Sequence, residues 1–353
     1  MDQTPLSIGW FCPTQGDTRA FGDSSTDIPP SIEHFTKVAQ AADAAGFEYM
    51  LIPVSPYCWD AWVTASQLAA VTKSLKMLVA IKPGFISPVA QARMINTFDQ
   101  FTKGRLYLNL IAGFSDEDAY SEGQYRSKEQ RYKQLIEEVE ILKALWKNEG
   151  PVEYQGEFHQ IHGPMINPGL PFQTPHPPFF LGGGSQQAAE ISAEHSKVHL
   201  FWGDYPAKIA EEIKALKTLS ARYDRDQPLE FAMRLQIIVR DTEEEAWAAA
   251  DQLIADADHT FINSVQARLS TSEANRRQQE LSKTVGRKLT PHLWTGITEV
   301  RPGAGIAVVG NPQQVADQLM EFVDAGCSGF CLSGYPHHEE AERFGKLVMP
   351  LLR

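Results

Sequence analysis

Two polar side chains inside an otherwise apolar stretch are the first candidates for chemistry in this chain. The segment FAMRLQIIVRD (231–241) has the apolar residues of a buried strand, yet it contains Arg234 and Gln236. Because side chains alternate along a strand, residues two apart point to the same face. A buried guanidinium without a partner is costly. We therefore expect an anion to bind on that face.

Further polar residues follow later apolar runs and could complete an anion site. The segment WGDYP supplies Trp202, and GYPHHEE supplies Tyr335 and His337. Each of them alone is more often an ordinary core or rim residue than a binding residue, and this holds above all for a single histidine. Gathered at one end of a sheet with Arg234, however, these side chains would surround a small anionic substrate.

The sequence does not predict a metal site. It contains no HxH or HExxH motif, its ten histidines are scattered, and only His337 and His338 are adjacent. Adjacent histidines on one segment rarely chelate a single ion. We therefore expect no metal, and a metallohydrolase is disfavoured.

A glycine-rich segment, LGGGSQQAAE (181–190), joins an apolar run to a helix that begins near Ser185. Glycines let backbone N–H groups approach a ligand, and a helix N-terminus favours an anion such as phosphate. The same residues equally fit a tight turn with Ser185 as the helix N-cap. RPGAGIAVVG (301–310) lacks the third glycine of a dinucleotide site, but Arg301 beside its glycines is a candidate mobile cation.

Short apolar runs alternate with amphipathic segments over most of the chain, which predicts parallel strands separated by helices. Eight such units in 353 residues favour a closed (β/α)8 TIM barrel, an α/β fold, over an open doubly wound sheet. In a barrel the catalytic groups lie at the C-terminal ends of the strands, which is where this pattern places the candidates above. The candidate core strands begin near residues 7, 49, 76, 106, 179, 198, 231 and 329.

Two stretches interrupt the alternation inside what we predict to be a single domain of residues 1–353. VEYQGEFHQI resembles a hairpin with its turn at Gln155-Gly156, within an insertion near 148–177. The polar segment near 259–305 is unusually long for one connection in a barrel. It is either a mobile lid over the site or a solvated surface excursion.

Composition limits the partners of this protein. Its net charge of -12 and pI of about 5.3 argue against general binding to nucleic acid or anionic membranes, although a local basic pocket remains compatible. No apolar run approaches the ~20 residues that cross a bilayer, and the N-terminus lacks a signal-peptide pattern. The four cysteines form no CxxC pair. We expect a cytoplasmic protein.

Nine stretches of the sequence together carry a family resemblance. They are WFCPTQGD, GFEYMLIPVSPYCWDAW, KMLVAIKPGFISPVAQAR, TKGRLYLNLIAG, EQRYKQ, PPFFLGGGSQQAAE, RLQIIVRDTEEEAW, RPGAGIAVVG and LSGYPHHEEA. In this order, from about residue 7 to residue 351, they resemble the bacterial luciferase-like flavin monooxygenases, specifically the two-component alkanesulfonate monooxygenase branch. The motifs are more specific for the family than for its substrate.

The resemblance implies an enzyme with a (β/α)8 barrel that uses reduced FMN (FMNH2) as a co-substrate. A separate NAD(P)H-dependent flavin reductase would supply it. With O2, such an enzyme cleaves the C–S bond of an organosulfonate, releasing sulfite and an aldehyde. Relatives assemble as homodimers or homotetramers. Alternatives are a sulfoquinovose monooxygenase of the same mechanism, a deazaflavin-dependent dehydrogenase and a non-catalytic flavin-binding protein.

Matching the motifs residue by residue assigns candidate roles. The residues implied to hold the flavin and its phosphate are Asn109, Gly113, Arg131, Tyr132, Gly184 and Ser185. The residues implied to form the catalytic pocket are Trp202, Arg234, Gln236, Tyr335 and His337, with Arg301 on the lid. Cys58 matches a cysteine that helps to stabilise the oxygenated flavin, although it fits equally well as a small apolar filler.

The sequence departs from the family pattern near the implied pocket. Gln236 and Gln15 stand where the family usually carries histidine, and Lys82 stands where it carries arginine. Gly184 replaces the first of two serines, so that one side-chain donor to the phosphate is lost. Glutamine forms hydrogen bonds but does not titrate near neutral pH as histidine does. These changes extend the expected substrates to larger or hydroxylated organosulfonates such as sulfoquinovose.

Overall fold

The computed structural model describes residues 5–113, 115–163, 169–269, 273–301, 303 and 305–352. The strands are β1 Ser7–Phe11, β2 Tyr49–Ile52, β3 Lys76–Ile81, β4 Leu106–Leu110, β5 Glu153–Gln155, β6 Gln160–His162, β7 Phe179–Gly182, β8 Val198–Trp202, β9 Glu230–Val239, β10 Leu293–Trp294, β11 Ala307–Gly310 and β12 Gly329–Ser333.

Thirteen α-helices are described along the same ranges. They are α1 Ile32–Ala45, α2 Ala61–Ala70, α3 Pro88–Thr102, α4 Asp116–Ser121, α5 Lys128–Lys147, α6 Gln186–His195, α7 Pro206–Ser220, α8 Glu243–Ile254, α9 His259–Leu269, α10 Glu273–Val285, α11 Ile297–Val300, α12 Pro312–Asp324 and α13 His337–Leu347. Short 3-10 helices lie at Ser24–Thr26 and Met349–Leu351. None of the described helices has the length and apolarity that a bilayer crossing requires.

Eight parallel strands close into a barrel. Their order is β1, β2, β3, β4, β7, β8, β9 and β12, and β12 pairs back onto β1. These eight strands are the eight that the sequence pattern predicts, so the (β/α)8 TIM barrel is confirmed. Strand β9 continues past the barrel, where β11 pairs with Gln236–Val239 and β10 pairs antiparallel to β11.

Aromatic side chains fill the barrel interior. Tyr49, Tyr107 and Phe180 pack together there, with ring centroids 5.2 to 6.0 Å apart. Gly9 on β1 makes room for this cluster, because a Cβ at that position would lie 2.2 Å from the Tyr49 ring. Since the interior is packed rather than open, a ligand has access only at the mouth.

The two segments outside the alternation both contain regular structure. Strands β5 and β6 form an antiparallel hairpin whose connection is closed by a hydrogen bond from the Gly156 N–H to the His159 carbonyl, 2.9 Å long. The polar segment near 259–305 contains α9, α10, β10 and α11 rather than one extended loop. The segment therefore consists of separate helices and a short strand, which the sequence pattern did not resolve.

Candidate active site

Strand β9 carries Arg234 into the barrel mouth, as the alternation of its side chains predicts. Arg234 is buried, and its guanidinium donates hydrogen bonds to three neutral acceptors. These are the Leu235 carbonyl at 2.9 Å, the Cys331 carbonyl at 3.3 Å and Ser333 Oγ at 2.8 Å. No carboxylate of the described residues lies within ion-pair distance of Arg234. Its positive charge is therefore positioned, but it is not neutralised by the protein described here.

Arg301 places a second cation beside the first. The guanidinium carbons of Arg234 and Arg301 lie 4.8 Å and 5.6 Å from the ring centroid of Phe11, which ends β1. Burial, and to a smaller extent the neighbouring Arg301 charge, lower the pKa of Arg234 to about 10. Because like charges repel in a poorly solvated site, a bound anion would relieve both effects.

Tyr335 borders both arginines, and Trp202 lies next to Arg234. The Arg301 guanidinium is hydrogen-bonded to the Tyr335 hydroxyl, whose pKa is raised by burial. Trp202 ends β8 and pairs in register with Arg234. We call Arg234, Arg301, Phe11, Trp202 and Tyr335 the arginine pocket.

Gln236 lies one strand step beyond Arg234 on the same face. It is fully buried, and its Oε1 accepts a hydrogen bond from Ser333 Oγ on β12. Because Ser333 also accepts from Arg234, one hydroxyl fixes both polar side chains of β9. Their positions are therefore coupled through Ser333.

His337 begins α13 and is bound by an acid from the other end of the chain. The Asp17 carboxylate accepts the backbone N–H of His337 at 2.7 Å and lies 2.9 Å from its Nδ1. His34 Nε2 lies 3.0 Å from the same carboxylate. Burial raises the pKa of Asp17, but the His337 charge and the hydrogen bonds from both histidines outweigh it, so that the net pKa lies below its ordinary value.

A second group of candidates lies where α5 and α6 meet. Ser185 is the N-cap of α6, and its Oγ also donates to the Tyr132 hydroxyl at 3.3 Å. Gly183 has a φ of 149°, and a Cβ on Gly184 would meet no atom within 4 Å. The backbone at the start of α6 is thus open to a ligand.

Arg131 precedes Tyr132 on α5 and is also buried. It donates from Nε to the Ala112 carbonyl at 2.7 Å and pairs with Asp116 at 2.9 Å. Its Nη2 is buried without a hydrogen-bond partner in the described part of the chain. Gly113 adjoins it, since a Cβ there would lie 3.6 Å from Arg131 Nε.

Arg131 and Gly113 line a narrow cavity of about 20 Å³, which is room for roughly one water molecule. Lys82 lines its other side and forms an ion pair with Glu122. Neutralised in this way, Lys82 is not an available counter-ion.

The remaining candidates occupy separate positions. Asn109 is buried near the C-terminal end of β4, on the strand between β3 and β7. Cys58 accepts a hydrogen bond from Ser55 Oγ at 3.1 Å and is half-buried rather than a core residue. Neither residue contacts the arginine pocket through a described hydrogen bond.

Three residues of the site were not predicted from the sequence. Asp17 lies in the WFCPTQGD stretch, Ser333 in LSGYPHHEEA and Phe11 in the first apolar run. Only Asp17 gave a usable signal, as an acid shortly after a predicted barrel strand. The partners of Ser333 and Phe11 are distant in sequence and are brought together only by closure of the barrel.

Fold and site together define a barrel enzyme with a positively charged pocket at its mouth. A sequence model of the luciferase-like monooxygenases matches residues 6–329. The chain belongs to the luciferase-like monooxygenase family. It is therefore an enzyme of the flavin-dependent monooxygenase class.

Solved structures share this fold over nearly the whole chain, each at 16% sequence identity. Riboflavin lyase (RcaE), with modified FMN and riboflavin, has a TM-score of 0.81 and coverage of 99% of this chain and 92% of its own. EDTA monooxygenase (EmoA) from Chelativorans sp. BNC1 has a TM-score of 0.75, with 99% and 94% covered. An F420-dependent secondary alcohol dehydrogenase has a TM-score of 0.67, with 99% and 100% covered. At this identity the likeness concerns the fold alone.

The residues around α5 and α6 are compatible with a flavin phosphate. The start of α6 offers open backbone N–H groups, and Ser185 and Tyr132 offer hydroxyls close to it. The buried Arg131 Nη2, which no described residue satisfies, has an unused donor. Donors of these types at a helix N-terminus suit an anion.

Proposed function

We propose that this enzyme is an FMNH2- and O2-dependent monooxygenase that desulfonates an organosulfonate. The observation that carries the proposal is the pair of buried arginines on Phe11, of which Arg234 has only neutral described acceptors. A sulfonate provides the missing negative charge. Its oxygens also suit the planar fork of a guanidinium.

The overall reaction balances as one sulfonate, one O2 and one FMNH2 giving one aldehyde, one hydrogen sulfite, FMN and water. One oxygen atom enters the aldehyde and the other leaves as water. Reduced FMN, when bound, supplies the two electrons that O2 activation requires. A separate NAD(P)H-dependent flavin reductase would regenerate it, as the two-component resemblance implies.

Each pocket residue has a role in this proposal. Arg234 and Arg301 bind the sulfonate, and Tyr335, which hydrogen-bonds to Arg301, holds that cation in place. Trp202 covers the apolar part of the substrate, next to Arg234. Because Arg234 is anchored by three acceptors before any ligand binds, little side-chain entropy is lost on binding.

The flavin residues act by binding and by position. Ser185, Tyr132 and the backbone of Gly184 would hold the phosphate at the N-terminus of α6, with Arg131 and Gly113 nearby. Asn109 would orient the ring system from β4. Cys58, whose thiol is hydrogen-bonded to Ser55, would pack against the reacting face.

Two polar groups of the site favour a hydroxylated substrate over a simple alkanesulfonate. Gln236 is fully buried at the mouth, and its Oε1 accepts a hydrogen bond from Ser333 Oγ. His337 adds an imidazole. The hydroxyls of a sulfonated sugar such as sulfoquinovose form hydrogen bonds with amide and imidazole side chains, so it stands as the second candidate substrate.

The test of this proposal is sulfite release. The purified chain is incubated with a flavin reductase, FMN, NAD(P)H and a panel that includes short alkanesulfonates, hydroxyalkanesulfonates and sulfoquinovose. We expect sulfite from at least one member and none from the carboxylate analogues. No sulfite from the whole panel would overturn the proposal, and turnover of an alcohol with a deazaflavin would replace it with dehydrogenase activity.

A further inference from the structure

Asp17 is a buried carboxylate that two histidines share. Its side chain is fully buried, while those of His34 and His337 are exposed by only 7% and 1%. The carboxylate accepts from the backbone and faces Nδ1 of His337, and it faces Nε2 of His34. It links the loop after β1 to the first turn of α13.

This contact fixes the tautomer of His337. An ionised carboxylate only accepts hydrogen bonds, so Nδ1 of His337 must carry the proton. In the neutral ring, Nε2 then keeps a free lone pair. That Nε2 is buried and has no hydrogen-bond partner among the described residues.

His337 borders the arginine pocket. Its ring centroid lies 4.8 Å from that of Tyr335 and 5.9 Å from that of Phe11. Phe11 is the ring over which both guanidinium groups lie. The His337 ring therefore lies beside the residues that we propose to bind the sulfonate.

The charge state of His337 follows from its surroundings. Burial lowers the pKa of His337, Asp17 opposes this, and the Arg301 and Arg234 charges lower it again, with a net pKa below the ordinary value. The ring is thus neutral at pH 7 and can accept a proton. The titratable and charged groups facing this unit are Asp17, Arg234, Arg301 and Tyr335, and those near Asp17 itself are Cys12, His34, His338 and Arg19.

We propose that Asp17 is a positioning residue, which holds His337 so that its Nε2 accepts the proton of the hydroxyl that oxygenation by O2 places on the sulfonate-bearing carbon of the substrate. The identity of that substrate rests on the proposed function. In the step itself, the O–H proton passes to Nε2 and the C=O bond of the aldehyde forms. The C–S bond breaks, and its electron pair leaves with sulfite.

A purely structural role for Asp17 predicts a different pH dependence of activity. If Asp17 only fastens the loop after β1 to α13, its loss lowers stability and activity equally at every pH. If it positions His337, its loss also removes the charge that raises the His337 pKa. Because activity requires neutral His337, the acidic limb of the pH profile would then move to lower pH.

The experiment has one arm that requires no substrate. Nitrogen NMR of the ring resonances, assigned with His337→Gln, reports the tautomer and pKa of His337. We expect the Nδ1–H tautomer in the wild type, and a lower pKa with loss of that tautomer in Asp17→Asn. An Nε2–H tautomer in the wild type would overturn the inference, even if Asp17→Asn failed to fold.

The second arm is the pH profile of kcat/KM for sulfite release. We expect Asp17→Asn to lose roughly 10-fold or more at pH 7 and to shift the acidic limb downward. Asp43→Asn is the matched control, since Asp43 accepts backbone N–H groups of residues 73–75 away from the pocket. A uniform loss without a shift would overturn the inference. If the NMR results are as expected but no sulfonate yields sulfite, only the proposed function is rejected.

Discussion

Arg234 shows how the surroundings of a single side chain can indicate a ligand-binding site. Its hydrogen bonds orient the guanidinium, yet they leave its charge uncompensated by the described protein. Burial already lowers the pKa of this arginine, and Arg301 adds a second positive charge beside it. Buried positive charges that the described protein leaves uncompensated are typical of functional sites.

Replacing Arg234 with Ala should raise the KM for the sulfonate by about 100-fold or more, because removing one partner of a buried charge pair costs about 2–5 kcal/mol. FMN affinity should change little, since the residues proposed to hold the flavin phosphate lie on α5 and at the start of α6. Steady-state sulfite release and flavin titration measure the two effects. Arg222→Ala, at an exposed arginine after α7, is the matched control. Equal losses in both variants would contradict the assigned role.

Gly184→Ser should tighten FMN binding. A Cβ at this position meets no atom within 4 Å, so that the change is tolerated sterically and restores a hydroxyl that the family pattern carries. One hydrogen bond to a charged group contributes about 1.5–3 kcal/mol, which is roughly 10- to 100-fold in affinity. Fluorescence titration with FMN measures it, and riboflavin, which lacks the phosphate, is the control. Equal tightening for both ligands would contradict a phosphate site.

At the scale of elements, α10 connects the polar segment to the barrel mouth. Arg277 forms a two-point ion pair with Asp204, at 2.8 and 3.1 Å. Gln278 donates to the Gly203 carbonyl at 2.6 Å and accepts the Gly305 N–H at 3.4 Å. One buried amide thus joins the end of β8 to the backbone just beyond Arg301.

Gln278→Ala should loosen this helix, because it leaves a buried carbonyl without its donor at a cost of about 1–3 kcal/mol. We expect faster proteolytic nicking within 259–305 and a lower kcat/KM for the sulfonate. FMN and substrate together should slow nicking of the wild type. Arg276→Ala, an exposed neighbour on the same helix, should behave as the wild type. Nicking that is indifferent to both variant and ligands would argue against a lid.

The elements also show what sequence patterns can predict. The barrel strands were predictable because short apolar runs recur between helices with clear ends, such as the Ser31 cap and the Gly46 stop of α1. The shared face of Arg234 and Gln236 was predictable, because polar residues two apart in an apolar strand point to the same side of the sheet. The helices of 259–305 were not separated, because α10 is so rich in polar residues that its sequence resembles a solvated loop. The Asp17–His337 contact was not predicted either, because the two residues lie 320 positions apart in the sequence.

At the scale of the whole molecule, barrel closure assembles the site. Strand β1 supplies Phe11, β9 supplies Arg234, and the loop after β12 leads to His337. The pairing of β12 with β1 brings these distant segments together. The net charge of the chain is -12, so that the two buried arginines of the pocket are a local exception rather than part of a basic surface.

The most direct test of the central claim is the stoichiometry of sulfite release by the intact enzyme with reductase, FMN, NAD(P)H and the best organosulfonate of the panel. We expect one sulfite and one aldehyde for each O2 consumed in coupled turnover, with sulfite lost in Arg234→Ala. Oxygen consumption without sulfite, for every sulfonate offered, would contradict the account.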